Sequence, residues 1–345
     1  MTITAPFFGP LVSVHNLEVY FAVPHKGATV KAVDGVTFDV ELGKTLGIIG
    51  ESGSGKSTLG RALIGLVRPT GGSVLHEGED PFELSRREFA SHRRNYVTVF
   101  QDPSSALDPR MTIAQSVREP LDIVGQLSRP DRDARVVELL ERVGLNPVHA
   151  QRYPHELSGG QKQRANIARA LTLNPKLIVC DEVVAALDVS IQADILNLFA
   201  DLQRAFNLTY VFISHDLGVV AHVSDYIGVM YLGKLVEFGP ADRLMRAPLH
   251  PYTQALLSAE PCALPAKLRT KKRIILEGEV PSPLDPPSGC RFRTRCWLAR
   301  DICATAEPLP RMVRPDQRVA CHFADEAVLS PSPPGVTSFV VNTAL

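Results

Sequence analysis

An α/β fold built on a parallel sheet flanked by helices is what this sequence predicts, and three observations carry the prediction. Short apolar runs alternate with helix-like stretches through the first two hundred or so residues. A glycine-rich loop, GESGSGKST at 50–58, lies between one such run and the helix-prone TLGRALIGL. A second apolar run, LIVC at 177–180, ends in two acids.

The strand-like runs are 46–49 (LGII), 96–100 (YVTVF), 177–180 and 210–213 (YVFI). Between about 102 and 170 this texture disappears, and VVELLERV at 136–143 has apolar residues at helical spacing, so a helical insertion is expected. From 225 to 238, two short runs around Gly233 and Lys234 predict a hairpin. Beyond Pro261 the chain turns to KLRTKKR and then EVPSPLDPPSG, where prolines are too dense for helices or central strands. A boundary is placed near residue 262, giving a domain over 1–262 with its helical part at about 102–170, and an extension over 263–345. The basic run at 267–273 reads as a solvated linker face.

Totals exclude several classes. A chain of 345 residues, 45% apolar and 21% charged, is ordinary for a soluble globular protein with room for a full core and an appendage. Lysine plus arginine equals aspartate plus glutamate, 37 each, so no basic surplus exists to neutralise a nucleic-acid backbone. No run approaches the length of a membrane span, and MTITAPFFGP lacks the pattern of a signal peptide, so a cytosolic chain is expected. Six cysteines occur; Cys180 and Cys262 are isolated, while Cys290, Cys296, Cys303 and Cys321 crowd together, which in a reducing compartment suggests metal before disulfide.

The glycine-rich loop satisfies G-x-x-x-x-G-K-[ST] through Gly50, Gly55, Lys56 and Ser57. Such glycines let backbone N–H groups converge at a helix N-terminus, where the dipole already favours an anion. Phosphate is the natural guest of Gly50, Glu51, Ser52, Gly53, Ser54, Gly55, Lys56, Ser57 and Thr58. Lys56 is expected to reach the β and γ phosphates and Ser57 to ligate Mg²⁺. Asp181 then supplies the second metal-holding carboxylate, and Glu182 is an acid placed to polarise an attacking water.

LSGGQKQR at 157–164 resembles the signature motif of ABC-transporter ATPases. The other motifs fall in that family's order: Gly50 to Ser57 resembles Walker A, Gln101 in FQDP the Q-loop, 177–182 Walker B, 185–188 the D-loop, and His215 in ISHDL the switch histidine. Phe21, ending LEVYF, resembles the aromatic residue that stacks on adenine. The resemblance implies a P-loop NTPase fold of the ABC ATPase type: a mixed sheet core, a helical signature subdomain and a small cysteine-containing C-terminal extension. It implies an ATPase using ATP and Mg²⁺, with Glu182, His215 and Gln101 catalytic and Ser57, Gln101 and Asp181 around the metal. Ser158, Gly159, Gly160, Gln161 and Asp188 would meet the ATP of a partner subunit in a head-to-tail pair. Two positions depart from the pattern, Val183 where proline is usual and Ala185 where serine is usual, so an active but slower site is expected.

HPYTQALLSAEP at 250–261, GEVPSPLDPPSGCRF at 278–292 and FQDPSSALDPRMTI at 100–113 resemble the ATPase subunits of dipeptide, oligopeptide and nickel importers. The implied partners are a second homologous ATPase, two transmembrane permease subunits and an extracytoplasmic peptide-binding protein, with this chain on the cytoplasmic face of the cell membrane. The readings left open are an importer of nickel or another small solute, a non-transport ABC ATPase, and a nucleotide-binding subunit without turnover. Four thiolates suit zinc or an iron–sulfur cluster. The spacing of Cys290, Cys296, Cys303 and Cys321 resembles the pattern that carries [4Fe–4S] in some peptide-importer ATPases, with zinc, or no metal, as the alternatives.

Overall fold

The structure is a computed structural model that describes residues 9–23, 27–259 and 273–329. In chain order its strands are β1 (Val12–Val23), β2 (Ala28–Val40), β3 (Thr45–Ile49), β4 (Gly71–His76), β5 (Tyr96–Val99), β6 (Leu177–Asp181), β7 (Thr209–Ser214), β8 (Tyr226–Tyr231), β9 (Lys234–Pro240), β10 (Arg311–Arg314) and β11 (Gln317–Val319).

They form two sheets. One is antiparallel, in the order β2-β1-β4, and the other has eight strands in the order β10-β11-β9-β8-β3-β7-β6-β5. Within the larger sheet β8, β3, β7, β6 and β5 run parallel, while β9, β11 and β10 add antiparallel pairings, so the core is the mixed sheet expected. Every residue of β3 and β7 is buried, as required of central strands covered on both faces. Each large aliphatic side chain so buried contributes roughly 2 kcal/mol of transfer free energy. All four strand-like runs of the sequence are strands, and the 225–238 segment is the β8–β9 hairpin, turning at Leu232 and Gly233, both with positive φ.

The helical insertion is present as the helices Pro103–Ala106, Ile113–Val124, Arg129–Arg142 and Gly159–Leu171. Thr112, Ser128 and Ser158 N-cap the last three, each accepting a backbone N–H, and Gly125 ends the second in the left-handed conformation. Ile113, Val117, Val136, Leu139, Leu140 and Ile167 interlock in a core that reaches Val99 and Ile178 on the sheet.

The β2-β1-β4 sheet is not announced by the sequence. In β1 the apolar alternation breaks where Asn16 takes a φ of 46°, and the register shifts between Val14 and Leu17. The extension also holds strands despite its prolines. Pro310 and Pro315 flank or join β10 and β11 rather than interrupt them, and β11 pairs with β9, carrying the main sheet into the extension. The boundary near 262 lies outside the described residues. Among the described residues no helix is long and apolar enough to cross a membrane.

Candidate active site

Four neighbouring parallel strands, β3, β7, β6 and β5, end on one side of the sheet, and the next residues after them are Gly50, His215, Glu182 and, after Phe100, Gln101. Topology therefore gathers at one edge groups that are scattered over 165 positions of sequence.

The glycine-rich loop leaves β3 at Gly50 and enters the helix Lys56–Leu63 through Gly55. A Cβ on Gly50 would lie 2.2 Å from the Met230 carbonyl oxygen, and one on Gly55, at φ 103°, would lie 2.0 Å from that of Ala32. Only glycine fits either place. Gly55 brings no side chain to cap the helix. Ser52 and Gly53 are exposed, Ser54 is buried with its hydroxyl unpartnered, and Ser57 and Thr58 are half-buried in the first turn. The Lys56 ammonium is buried and donates to the carbonyls of Gly50 at 2.8 Å and Glu51 at 2.9 Å. Burial pushes its pKa down, against the pull of Glu182, Asp181 and Glu51.

Asp181 ends β6 and accepts from the Ser57 hydroxyl at 3.1 Å. Burial raises its carboxyl above the usual aspartate range, and Glu182 adds to the rise against the Ser57 bond. Glu182 adopts a φ of 51°, rare for a residue with a side chain, and its N–H is fixed to the Ile213 carbonyl of β7 at 2.9 Å. One carboxylate oxygen accepts from Gln101 Nε2 at 2.9 Å, and the other lies 3.1 Å from His215 Nδ1. Val183 and Val184, which follow, are buried in the core, while Ala185 is exposed.

The remaining site residues predicted from sequence lie elsewhere on the surface. Phe21 is 45% exposed on β1, beside Tyr20, whose hydroxyl donates to Asp34 at 2.6 Å. Ser158 and Gln161 satisfy each other in a reciprocal cap at 3.0 and 3.3 Å, which leaves the start of the helix Gly159–Leu171 facing out. Gly159 packs near Leu187, and a Cβ on Gly160 would lie 2.8 Å from Ile191 Cγ2. Asp188 is exposed and N-caps the helix Val189–Phe206 without a side-chain bond. The signature turn and the Asp188 loop thus form a second, outward-facing surface.

Cys290, Cys296, Cys303 and Cys321 are all unpaired. Cys290 N–H donates to the Cys303 carbonyl at 2.8 Å; Cys290 and Cys296 pack against a core containing Phe292, Tyr231 and Tyr252, and Cys321 against Leu249, Val319 and Ala324. Cys296 is pushed up to about 12 and Cys321 to about 11, by burial first and by neighbouring cysteines of the set to a lesser extent. Among the described residues, however, no group of three or more His, Cys, Asp or Glu side chains is arranged to hold a metal ion.

Sequence reasoning missed three residues that touch the site's frame. Arg295 forks the Glu51 carboxylate at 2.8 and 3.1 Å, Tyr252 accepts the Glu51 N–H at 2.8 Å, and Arg291 bonds Asp34 and the Leu232 carbonyl. The signal was Glu51 itself, a carboxylate inside a loop shaped for anions.

Comparison with known proteins gives the family. Residues 33–185 match the family model described as ABC transporter, and residues 236–303 match the one described as oligopeptide/dipeptide transporter, C-terminal region. The oligopeptide transport ATP-binding protein AppF of Bacillus subtilis is 50% identical over 91% of this chain and 97% of its own length. The probable peptide ABC transporter ATP-binding protein y4tS of Sinorhizobium fredii is 51% identical over 88% of this chain and 86% of its own. Among solved structures, the dimeric post-hydrolysis state of the ATP-binding cassette MJ0796 bound to ADP and Pi matches at a TM-score of 0.60 and 30% identity, covering 67% of this chain and 98% of that one. With a phosphate-type loop that only glycine can build at its centre and these relatives over nearly its whole length, the chain belongs to the ABC transporter ATPases, in the group of oligopeptide and dipeptide transport ATP-binding proteins.

Proposed function

We propose that this ATPase energises the import of short peptides through a membrane ABC transporter. The observation that carries the chemistry is Glu182, bracketed by Gln101 and His215 one residue beyond the Ser57–Asp181 pair. In this reading the loop from Gly50 to Thr58 holds the phosphates through its backbone and Lys56, Phe21 covers the base, and Glu182 takes a proton from the attacking water. Mg²⁺ fits the donor set of Ser57 hydroxyl, Asp181 carboxylate and Gln101 amide, three hard oxygens. When bound, it would offset charge on the β and γ phosphates.

Ser158, Gly159 and Asp188 are exposed, with Gln161 half-buried and Gly160 packed behind them, and this set suits the nucleotide of a second, homologous ATPase. ATP shared by two subunits favours a closed pair, and hydrolysis removes contacts from both sides at once. Two permeases, an extracytoplasmic peptide-binding protein and a place on the cytoplasmic face of the membrane complete the assembly. The units are the cassette over 1–262 and the extension over 263–345. For the four cysteines, the spacing in the sequence is what supports a structural [4Fe–4S] cluster ahead of zinc; Cys290, Cys296, Cys303 and Cys321 would hold it and stabilise a segment poor in core. Absence of iron and of broad visible absorbance in anaerobically purified protein would remove that part.

The deciding experiment reconstitutes the chain with its permeases, partner ATPase and binding protein in proteoliposomes. ATP-driven uptake of a short peptide, abolished by Glu182→Gln, is expected. Uptake of nickel but not peptide would overturn the substrate, and no ATP turnover would overturn the whole reading.

A further inference from the structure

Glu51 is an anomaly of charge. It is the second residue of a loop whose N–H groups and lysine attract phosphate, and an unpaired carboxylate there would repel the same ligand. The fold resolves this from outside the cassette motifs. Arg295, 244 positions downstream in the cysteine-bearing extension, meets the Glu51 carboxylate with both terminal nitrogens, and only 9% of the Arg295 side chain is exposed. This is the geometry that only a guanidinium provides.

Glu51 is also the mechanical pivot of the loop. Its carbonyl accepts from Lys56 Nζ at 2.9 Å and from the Ser54 N–H at 3.2 Å, and its own N–H donates to the Tyr252 hydroxyl at 2.8 Å. Tyr252 and Tyr231 are packed against Phe292, three positions before Arg295. The residue whose carboxylate Arg295 holds therefore also anchors, through its backbone, the lysine and the first turn of the loop.

We propose that Arg295 is a positioning residue of the nucleotide site, which neutralises Glu51 and fixes the first turn of the phosphate loop, so that the extension takes part in ATP binding. The inference rests on that loop being the ATP site. Losing the fork leaves an uncompensated anion beside the triphosphate and a loop free to drift, which should appear in the affinity for Mg·ATP.

The test measures KM and kcat of the assembled transporter, and Mg·ATP binding in a Glu182→Gln background. Arg295→Ala should raise KM and the dissociation constant about tenfold, with a smaller change in kcat. Adding Glu51→Gln to Arg295→Ala should recover much of that loss, because it removes the stranded charge; a purely structural role would give no such charge-specific rescue. Should Arg295→Ala fail to fold, Arg295→Lys keeps charge without the fork and should raise KM about threefold. Arg300→Ala, which cuts an exposed pair with Glu326 elsewhere in the extension, should leave KM unchanged. A KM within about twofold of the parent in both Arg295 variants, or no rescue by Glu51→Gln, would overturn the proposal. Parent protein that binds no Mg·ATP would instead overturn the reading of the loop as the ATP site.

Discussion

His215 Nδ1 stands 3.1 Å from Glu182 Oε1, and the chemistry of the two groups fixes where the proton lies. A carboxylate can only accept, so Nδ1 carries the hydrogen and, in the neutral ring, Nε2 is bare. A phosphate oxygen also only accepts. His215 can therefore bridge Glu182 and a γ-phosphate only as an imidazolium, and otherwise must release one to hold the other. Gln101 holds the second carboxylate oxygen at 2.9 Å, so Glu182 keeps one anchor when the histidine turns away.

From this arrangement, Glu182→Gln should lower hydrolysis by about 10²–10⁴ while Mg·ATP still binds. His215→Ala should also slow hydrolysis, and the double variant should be scarcely worse than Glu182→Gln alone, since the two act as one unit. Single-turnover hydrolysis in the assembled complex measures this. Multiplicative losses would show that the residues act independently.

The loop's glycines are not equivalent, and that inequality is measurable. Gly55→Ala drives a Cβ to 2.0 Å from a backbone oxygen that cannot yield, whereas a Cβ on Gly53, at φ 77°, meets nothing within 4 Å. Gly53→Ala should cost only the left-handed strain of about 1–2 kcal/mol and keep ATP binding. Gly55→Ala should abolish binding and lower the unfolding temperature sharply. Equal behaviour of the two in thermal unfolding and Mg·ATP titration would contradict the packing described.

Much of this was legible in the sequence because the chemistry is local in the chain. Nine consecutive residues build the phosphate loop, and the Asp181–Glu182 pair ends a run whose burial its apolar side chains announce. The signature turn follows from Ser158 as an N-cap with Gln161 three positions on. The Arg295–Glu51 and Arg291–Asp34 pairs were not legible, because nothing in the spacing of residues more than 240 apart says that they meet. Likewise the β2-β1-β4 sheet hid behind the irregular register at Asn16. What the sequence did show, unread, was a charge conflict at Glu51 that required a distant cation.

Asp34 is 6% exposed and is satisfied by Tyr20 at 2.6 Å, Lys234 at 3.3 Å and Arg291. Tyr20, Lys234 and Arg291 come from β1, β9 and the extension, so the group ties three parts of the fold together. Arg291→Ala leaves Lys234 as the remaining cation and should destabilise the protein by about 2–3 kcal/mol in chemical denaturation. Replacing Asp34 by Asn alongside Arg291→Ala should recover part of that loss, because no buried charge is then left short of a partner. Failure of the second change to help would mean that Arg291 acts through packing alone.

Acid should unfold the protein partly through His76, which is 1% exposed and stacked on Tyr96 with ring centroids 3.8 Å apart. Its Nε2 faces the Leu63 carbonyl at 2.7 Å and must donate, so Nδ1 accepts from His92 Nε2 at 2.8 Å. A second proton on His76 breaks that bond and buries a charge, and burial accordingly lowers its pKa from 6.5 to about 4. The folded-state value lies below the unfolded one, so the unfolded chain takes the proton first as pH falls. Stability is full above about pH 6.5 and declines toward pH 4, with roughly 2 kcal/mol lost by pH 5. Urea denaturation across this range should show the slope in the parent protein and a flatter one in His76→Phe, which cannot titrate; an unchanged slope in that variant would assign the acid sensitivity to other groups.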